Sequence, residues 1–225
     1  MMPNYDVDWS SVDAGRQDLA TFGRRMISDG LAIGTAGNLS VRIGDVVAIT
    51  PSSIPYDQVK PDDVCVVHLD GVQLAGGRIS SEWPMHSGIY RTTDARAVVH
   101  THSEEAVAVS LVHDELPAVH YAIVALGGPV PVVAYTRFGS DGLAESVMNV
   151  LSDHSASILQ NHGVVTYGAT LTQAYDRAQL VEWLARVYRK SRQHGAPRIL
   201  NAAELDEVVA EVSRRRYGDA ARSGP

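Results

Sequence analysis

Two histidines stand one residue apart in "AVVHTH", at His100 and His102, within a run of β-forming residues. Residues i and i+2 of a strand project to the same side, so both imidazoles can reach one ion. A third, His162, follows the apolar run "SILQ" and precedes Gly163. Three imidazoles at strand ends suit zinc and the late first-row metals, and they leave one coordination position open to substrate. Glu82, in "SSEW", can complete such a shell or work beside it as a movable general base. His68, His86, His113, His120, His154 and His194 form no comparable set and read as core or solvated side chains.

Three short polar turns have the residues to hold an anion. "GTAGN" (34–38) combines Gly34 and Gly37, which allow tight curvature, with the hydrogen-bonding side chains of Thr35 and Asn38. "TPSS" (50–53) brings Ser52 and Ser53, and Ser80 and Ser81 stand at an expected helix start, where free N–H groups favour negative charge. None is a Walker loop, because no Gly-Lys-Ser/Thr follows. Each alone fits an ordinary turn equally well.

The surrounding pattern predicts the frame that must position these residues. An amphipathic helix is expected over 11–29, capped by Ser10 or Ser11 and stopped by Gly30. Gly44-Asp45 and Asp70-Gly71 mark two hairpins. "EWPMHSGIYR" reads as a helix with Pro84 in its first turn, "ARAVVHTH" as a strand, and "SEEAVAVSLVH" as a helix with Ser103 at its N-cap. "PVPVVAY" and "ASILQNHGVVTYG" supply further strand, separated by a helix near 141–152. A long helix is expected over about 171–193, and Asn201 can cap a last one reaching about Arg215. Hairpins and helix-flanked strands interleave without a linker, which predicts one α/β domain over 1–225 with a mixed sheet. Strand order is not legible from these patterns.

Bulk properties narrow the partners. The 225 residues carry a formal net charge of −7, which argues against nucleic acid or an anionic membrane as partner, though not against a small anion held by backbone N–H groups. Cys65 is the only cysteine, so neither an intrachain disulfide nor a thiolate metal cluster can form within the chain. The opening "MMPNYDVDWS" lacks the basic and apolar regions of a signal peptide, and no apolar run approaches a membrane span. A cytoplasmic protein is expected.

Taken in order, "GTAGNLSVR", "ITPSSIPY", "SSEWPMH", "AVVHTH", "PAVHYAIVALGG", "FG", "QNHG" and a terminal "YG" resemble the class II aldolase/adducin-head family. The resemblance implies a three-layer α/β/α fold around a large mixed, mostly antiparallel sheet. It implies zinc on His100, His102 and His162, with Glu82 as the catalytic carboxylate that can also reach the metal. It implies a phosphate site at Thr35, Gly37, Asn38, Ser52, Ser53, Ser80 and Ser81. Tyr121 falls on a tyrosine that donates or accepts a proton, and Tyr217 on a mobile tyrosine of a C-terminal tail from about residue 214. The implied assembly is a homotetramer with sites at subunit interfaces. The implied reaction is cleavage of a ketose 1-phosphate, of the fuculose 1-phosphate type, to dihydroxyacetone phosphate and a small aldehyde.

Other branches of that family do other things. Ribulose-phosphate 4-epimerases typically carry aspartate at the position of Glu82. A methylthioribulose-phosphate dehydratase keeps the glutamate and the histidines. The adducin head, an interaction module, lacks the metal set. This chain departs from the aldolase pattern at Ser53, where a glycine is usual, in a segment from Glu82 to His100 that is one residue shorter, and in the tail after Gly218.

Overall fold

The computed structural model describes residues 5–215, so Tyr217 and nearly all of the expected tail lie outside the described residues. β1 (Asn38–Ile43) and β2 (Val46–Ile49) turn at Gly44-Asp45, with Gly44 at a φ of 59° that favours glycine. β3 (Cys65–His68) and β4 (Gln73–Ala75) form the second expected hairpin around Asp70-Gly71. They are followed by β5 (Ala97–Thr101), β6 (Glu115–Leu116), β7 (Val130–Val133), β8 (Ala156–Leu159) and β9 (Gly163–Gly168). The nine strands make one sheet in the order β4-β3-β2-β1-β5-β9-β8-β7-β6. β7 and β8 run parallel, and the other described pairs are antiparallel.

Six α-helices among the described residues cover the two faces: α1 (Trp9–Ser28), α2 (Trp83–Thr92), α3 (Glu104–Ser110), α4 (Asp141–Leu151), α5 (Leu171–His194) and α6 (Ala202–Arg215). The alternation of β5 shows how the layers are divided. Ala97 and Val99 pack with Leu19 and Met26 of α1 and Tyr175 of α5. Val98, between them, packs with Met85 and Ile89 of α2 and Leu143 and Val147 of α4. A one-residue slip of β5 would exchange these two sets. The same parity turns His100 toward the α2/α4 side. The fold is the expected three-layer α/β/α arrangement with a large, mostly antiparallel sheet.

Helix ends follow the sequence closely except in two caps and at the end of α3, which stops at Ser110, three residues short of the expected His113. α1 starts two residues earlier than expected, because the carboxylate of Asp8, not a serine, accepts from Ser11 N. Ser103 does stand at the N-cap of α3, but its hydroxyl bonds Thr101 Oγ1 at 2.8 Å instead of a free helix N–H. Asn201 caps α6 through a reciprocal box: Glu204 N donates to its Oδ1, and its own N–H donates to Glu204 Oε2. The short 3₁₀ turns at Pro61–Asp63 and Tyr121–Leu126, and the two-residue β6, carry no periodicity long enough to read beforehand. No described helix is long and apolar enough to cross a membrane.

One histidine set aside in the sequence is a polar hub of this core. His86 of α2 is fully buried, with Nδ1 2.6 Å from Ser40 Oγ and Nε2 2.5 Å from Asn38 Oδ1. Burial, followed by the charge of His100, pushes its pKa from 6.5 down to about 3. The unfolded chain therefore takes up a proton near pH 6.5 that the folded chain refuses until about pH 3. Stability is complete above the upper value and falls as pH descends through this window, by about 1.4 kcal/mol per pH unit for one proton. Urea unfolding of metal-stripped protein between pH 7.5 and pH 5 should show this decline, and His86→Gln should reduce its slope by about one proton, leaving the share of His102 and His162, whose pKa values burial also depresses. An identical slope in the two proteins would assign the proton uptake to other groups.

Candidate active site

His100 lies near the end of β5, and His102 follows just after it, where the chain leaves the strand and His102 N donates to Leu31 O. His162 stands in the three-residue turn between β8 and β9. Asn161, before it, sits at a φ of 58° and is pinned by its N–H to Ser110 Oγ. Gly163, after it, allows β9 to press against β5: a Cβ there would be 2.1 Å from Thr101 O. The result is three imidazoles in mutual edge contact, ring centres 4.8–4.9 Å apart. One nitrogen from each lies within 4.8 Å of the others.

The donor set is oriented from behind. His100 Nδ1 donates to Val164 O at 2.9 Å, which directs Nε2 into the site, 3.1 Å from His102 Nε2. Glu82, the N-cap residue of α2, is 5% exposed and faces the same point. Its Oε2 is 2.7 Å from His100 Nε2 and its Oε1 is 3.6 Å from His162 Nε2, and beyond these imidazoles neither oxygen has a donor among the described residues. A buried carboxylate without a donor is costly unless positive charge compensates it.

Electrostatics sharpen the picture. Burial alone would raise the Glu82 pKa, but attraction to His100, then to His162 and His86, holds it well below the carboxylate range. Burial alone would lower His100, but Glu82 outweighs it and raises the pKa. His102 is pushed down to about 3 by burial and by the charges of His100 and His162, and His162 to about 4 by burial and His100. These shifts favour the protonated ring at His100 and the neutral ring, with a nitrogen free to ligate, at His102 and His162. A divalent cation in place of that proton would satisfy three nitrogens and a carboxylate at once, the N/O donor chemistry that zinc favours.

Beside this cluster opens a cleft of about 400 Å³. Its lining unites the three polar turns, contributing Thr35, Gly37 and Asn38, then Ser52 and Ser53, then Ser80 and Ser81, with Glu82, His102 and His162. Gly37 is required twice over: its φ is 76°, and a Cβ would lie 2.7 Å from His100 O. Ser53 adopts a φ of 66°, a left-handed conformation that favours glycine, and its hydroxyl stays 3.1 Å from that of Ser52. The cleft also has Tyr135, Thr136, Phe138 and Asn161 in its wall, none of them singled out from the sequence. The short strings "FG" and "QNHG" carried a signal for Phe138 and Asn161, whereas Tyr135 and Thr136 have no pattern of their own.

Tyr121 is not brought to this cleft. It opens the 3₁₀ turn Tyr121–Leu126, is 57% exposed, and lines a separate depression against Glu204, Val208 and Val212 of α6. The six histidines without a metal pattern stay outside the cluster of three.

This combination has known counterparts. Residues 17–189 match the family described as Class II Aldolase and Adducin N-terminal domain. The chain is 36% identical over 198 residues to the 5-deoxy-D-ribulose 1-phosphate aldolase of Bacillus thuringiensis serovar kurstaki, covering 86% of this chain and 93% of that protein. It is 40% identical over 161 residues to the L-fuculose phosphate aldolase of Escherichia coli K12, covering 71% and 75%. Among solved structures, an L-fuculose 1-phosphate aldolase superposes with a TM-score of 0.85 at 31% identity, covering 89% of this chain and 96% of that one. The chain belongs to the class II aldolase and adducin N-terminal domain family. Within it, the protein is an enzyme of the lyase class, a class II aldolase, in a family that typically depends on a metal.

Two outcomes test the site. Zinc uptake should release protons increasingly as pH is lowered toward about 6, read by calorimetry in buffers of different ionisation enthalpy, because metal competes with the proton that Glu82 favours on His100. Glu82→Gln removes the charge that raises His100 and should cut this release, whereas unchanged release would place the proton elsewhere. Gly163→Ala should cost on the order of 3 kcal/mol or prevent folding, since backbone must move to admit the methyl. Wild-type stability and zinc affinity in that variant would show that the β5–β9 approach is not the constraint inferred from the distance.

Proposed function

We propose that the chain is a zinc-dependent aldolase that cleaves a ketose 1-phosphate to dihydroxyacetone phosphate and a small aldehyde, acting in the cytoplasm as a homotetramer. The observation that carries this reading is a buried carboxylate and three convergent imidazoles at the floor of a cleft whose walls are hydroxyl, amide and glycine backbone. Such walls suit a phosphate, and the floor suits the oxygens of a ketose. The sugars named for the relatives, a 5-deoxyribulose 1-phosphate and a fuculose phosphate, share that head and differ in the tail. The proposed substrate class is therefore defined by the head.

The phosphate is held by Thr35, Gly37, Asn38, Ser52, Ser53, Ser80 and Ser81, remote from the bond that breaks, which orients the reacting carbons. His100, His102 and His162, with Glu82 in reach, would hold zinc. When bound, zinc supplies Lewis-acid stabilisation of the negative charge that develops on the ketose oxygens. Tyr121 accepts the proton of the C4 hydroxyl as the C3–C4 bond breaks and C4 becomes an aldehyde. Glu82 delivers a proton to C3, which completes dihydroxyacetone phosphate. The states balance when the transfers are written for condensation: Glu82 as carboxylate takes the C3 proton of dihydroxyacetone phosphate, Tyr121 as phenol protonates the new C4 oxygen, and cleavage is the reverse, with Tyr121 entering as phenolate and Glu82 as the acid. Because Tyr121 lies outside the cleft of its own chain, this role requires a neighbouring subunit in the proposed tetramer, with the tyrosine of one subunit completing the site of the next.

Two kinds of measurement test this. A panel of ketose 1-phosphates, with products identified, separates cleavage from epimerisation and dehydration. An epimer or a dehydrated sugar as sole product would overturn the aldolase reading. Isotope exchange then separates the two proton transfers. Glu82→Gln should retain binding of dihydroxyacetone phosphate but lose at least about 100-fold in exchange of its carbon-bound proton with deuterated water. Tyr121→Phe should keep that exchange, which needs no aldehyde, and lose carbon–carbon cleavage. Zinc-loaded wild type that binds dihydroxyacetone phosphate without exchange would remove the assignment of Glu82.

A further inference from the structure

A buried chain of side chains runs from α2 to the wall of the cleft. Tyr90 OH lies 2.7 Å from Ser40 Oγ, Ser40 Oγ lies 2.6 Å from His86 Nδ1, and His86 Nε2 lies 2.5 Å from Asn38 Oδ1. All four residues are more than nine-tenths buried. Acceptor chemistry gives each proton a direction. The carboxamide oxygen of Asn38 can only accept, so His86 Nε2 carries a proton. In the neutral ring Nδ1 then accepts, and Ser40 donates to it. That uses the single hydroxyl proton of Ser40, so its oxygen accepts from Tyr90. The order is Tyr90 to Ser40 to His86 to Asn38.

The end of this relay matters most. With Oδ1 turned inward onto His86, the NH₂ group is the part of the Asn38 carboxamide left for the cleft that the residue lines. A reversed carboxamide would move the ring proton to Nδ1 and turn every donor in the chain around, so that Ser40 would donate to Tyr90 instead of accepting from it. Asn38 is also the ladder partner of His100 across β1 and β5, so the end of the relay and a metal ligand share one register pair.

We infer that His86 is a positioning residue for the anion subsite: it locks the Asn38 carboxamide with its NH₂ toward the cleft, where it donates to the phosphate of the substrate. This rests on the proposed phosphate site and says what fixes its polarity. An Asn38 free to turn would offer its oxygen as readily as its nitrogen, and oxygen facing phosphate repels it. A histidine that merely filled core volume would have no preferred ring proton and no effect that depends on Asn38.

The test uses the zinc-loaded, full-length protein and inorganic phosphate as probe. His86→Leu should weaken phosphate binding about tenfold, the loss of one hydrogen bond to a charged group. His86→Gln, whose amide nitrogen can replace Nε2–H, should stay within about twofold of wild type. In an Asn38→Ala background, His86→Leu should add no further loss. Equal losses in the two backgrounds would make His86 structural and overturn the inference. If the leucine variant does not fold, Ser40→Ala carries the test, since it removes the donor that keeps Nδ1 bare and should weaken phosphate binding about threefold. Wild-type affinity in Ser40→Ala would count against the relay. Nitrogen-15 NMR of wild type should find the ring proton of His86 on Nε2, and a proton on Nδ1 alone overturns the inference whatever the affinities. Wild type that binds no phosphate overturns the phosphate site and the inference with it. Wild type that binds phosphate while His86→Leu binds it equally overturns the inference alone.

Discussion

The contact between Gly163 and the end of β5 is the constraint on which the site depends. Nothing larger than hydrogen fits where Gly163 meets Thr101 O. The antiparallel pairing of β5 and β9 can therefore run on to the strand end, with Thr101 opposite Val164. That pairing puts the carbonyl of Val164 behind His100 and swings the β8–β9 turn, carrying His162, over the same point. The three imidazoles thus converge through backbone register and not through side-chain flexibility. Glu82 arrives from a different layer, at the N-terminus of α2, where packing of Met85 and Ile89 under the sheet sets its depth.

Much of this was legible in the residues. The same-side geometry of His100 and His102 needs only the two-residue period of a strand. The turns at Gly44-Asp45 and Asp70-Gly71 needed only local chemistry, and the Asn201 cap was readable from its residue type. The role of Gly163 was not, because a glycine after a histidine reads as loop until the neighbouring strand is known. Strand order was equally hidden. Pairings such as Asn38 with His100, or Ala97 with Gly168, join residues far apart in sequence, and no local pattern reports them. His86 was read as an ordinary core histidine. Its partners, Asn38 and Ser40, become visible only when β1 lies beside α2.

Two demands meet in the cleft wall. The polar turns must present donors to solvent, while the strands behind them must be dry enough to stack apolar residues on both faces. The chain reconciles these demands by placing polar side chains where strands begin or end. Asn38 opens β1, Thr50 follows β2 and returns its hydroxyl to Leu39 N, and Ser80 bonds the N–H of Glu82. Thr50 and Ser80 each accept from a backbone N–H at the border between core and cleft, which buried backbone requires to be stable. Ser53 and Asn161, the two described non-glycine residues with left-handed backbone, both line this opening, so the strain sits in the cleft wall.

The position of β9 in the chain has a temporal meaning. The metal-ligand pair on the His100 segment is made early, but the partner strand that aims it begins 63 residues after His100, and its pairing closes only near Gly168. A chain emerging from the ribosome in order therefore passes through a long interval with two imidazoles of the set, no third imidazole and no carbonyl to orient them. The three imidazoles converge only after the last strand has docked, so the donor set belongs to the nearly finished fold and not to the nascent chain.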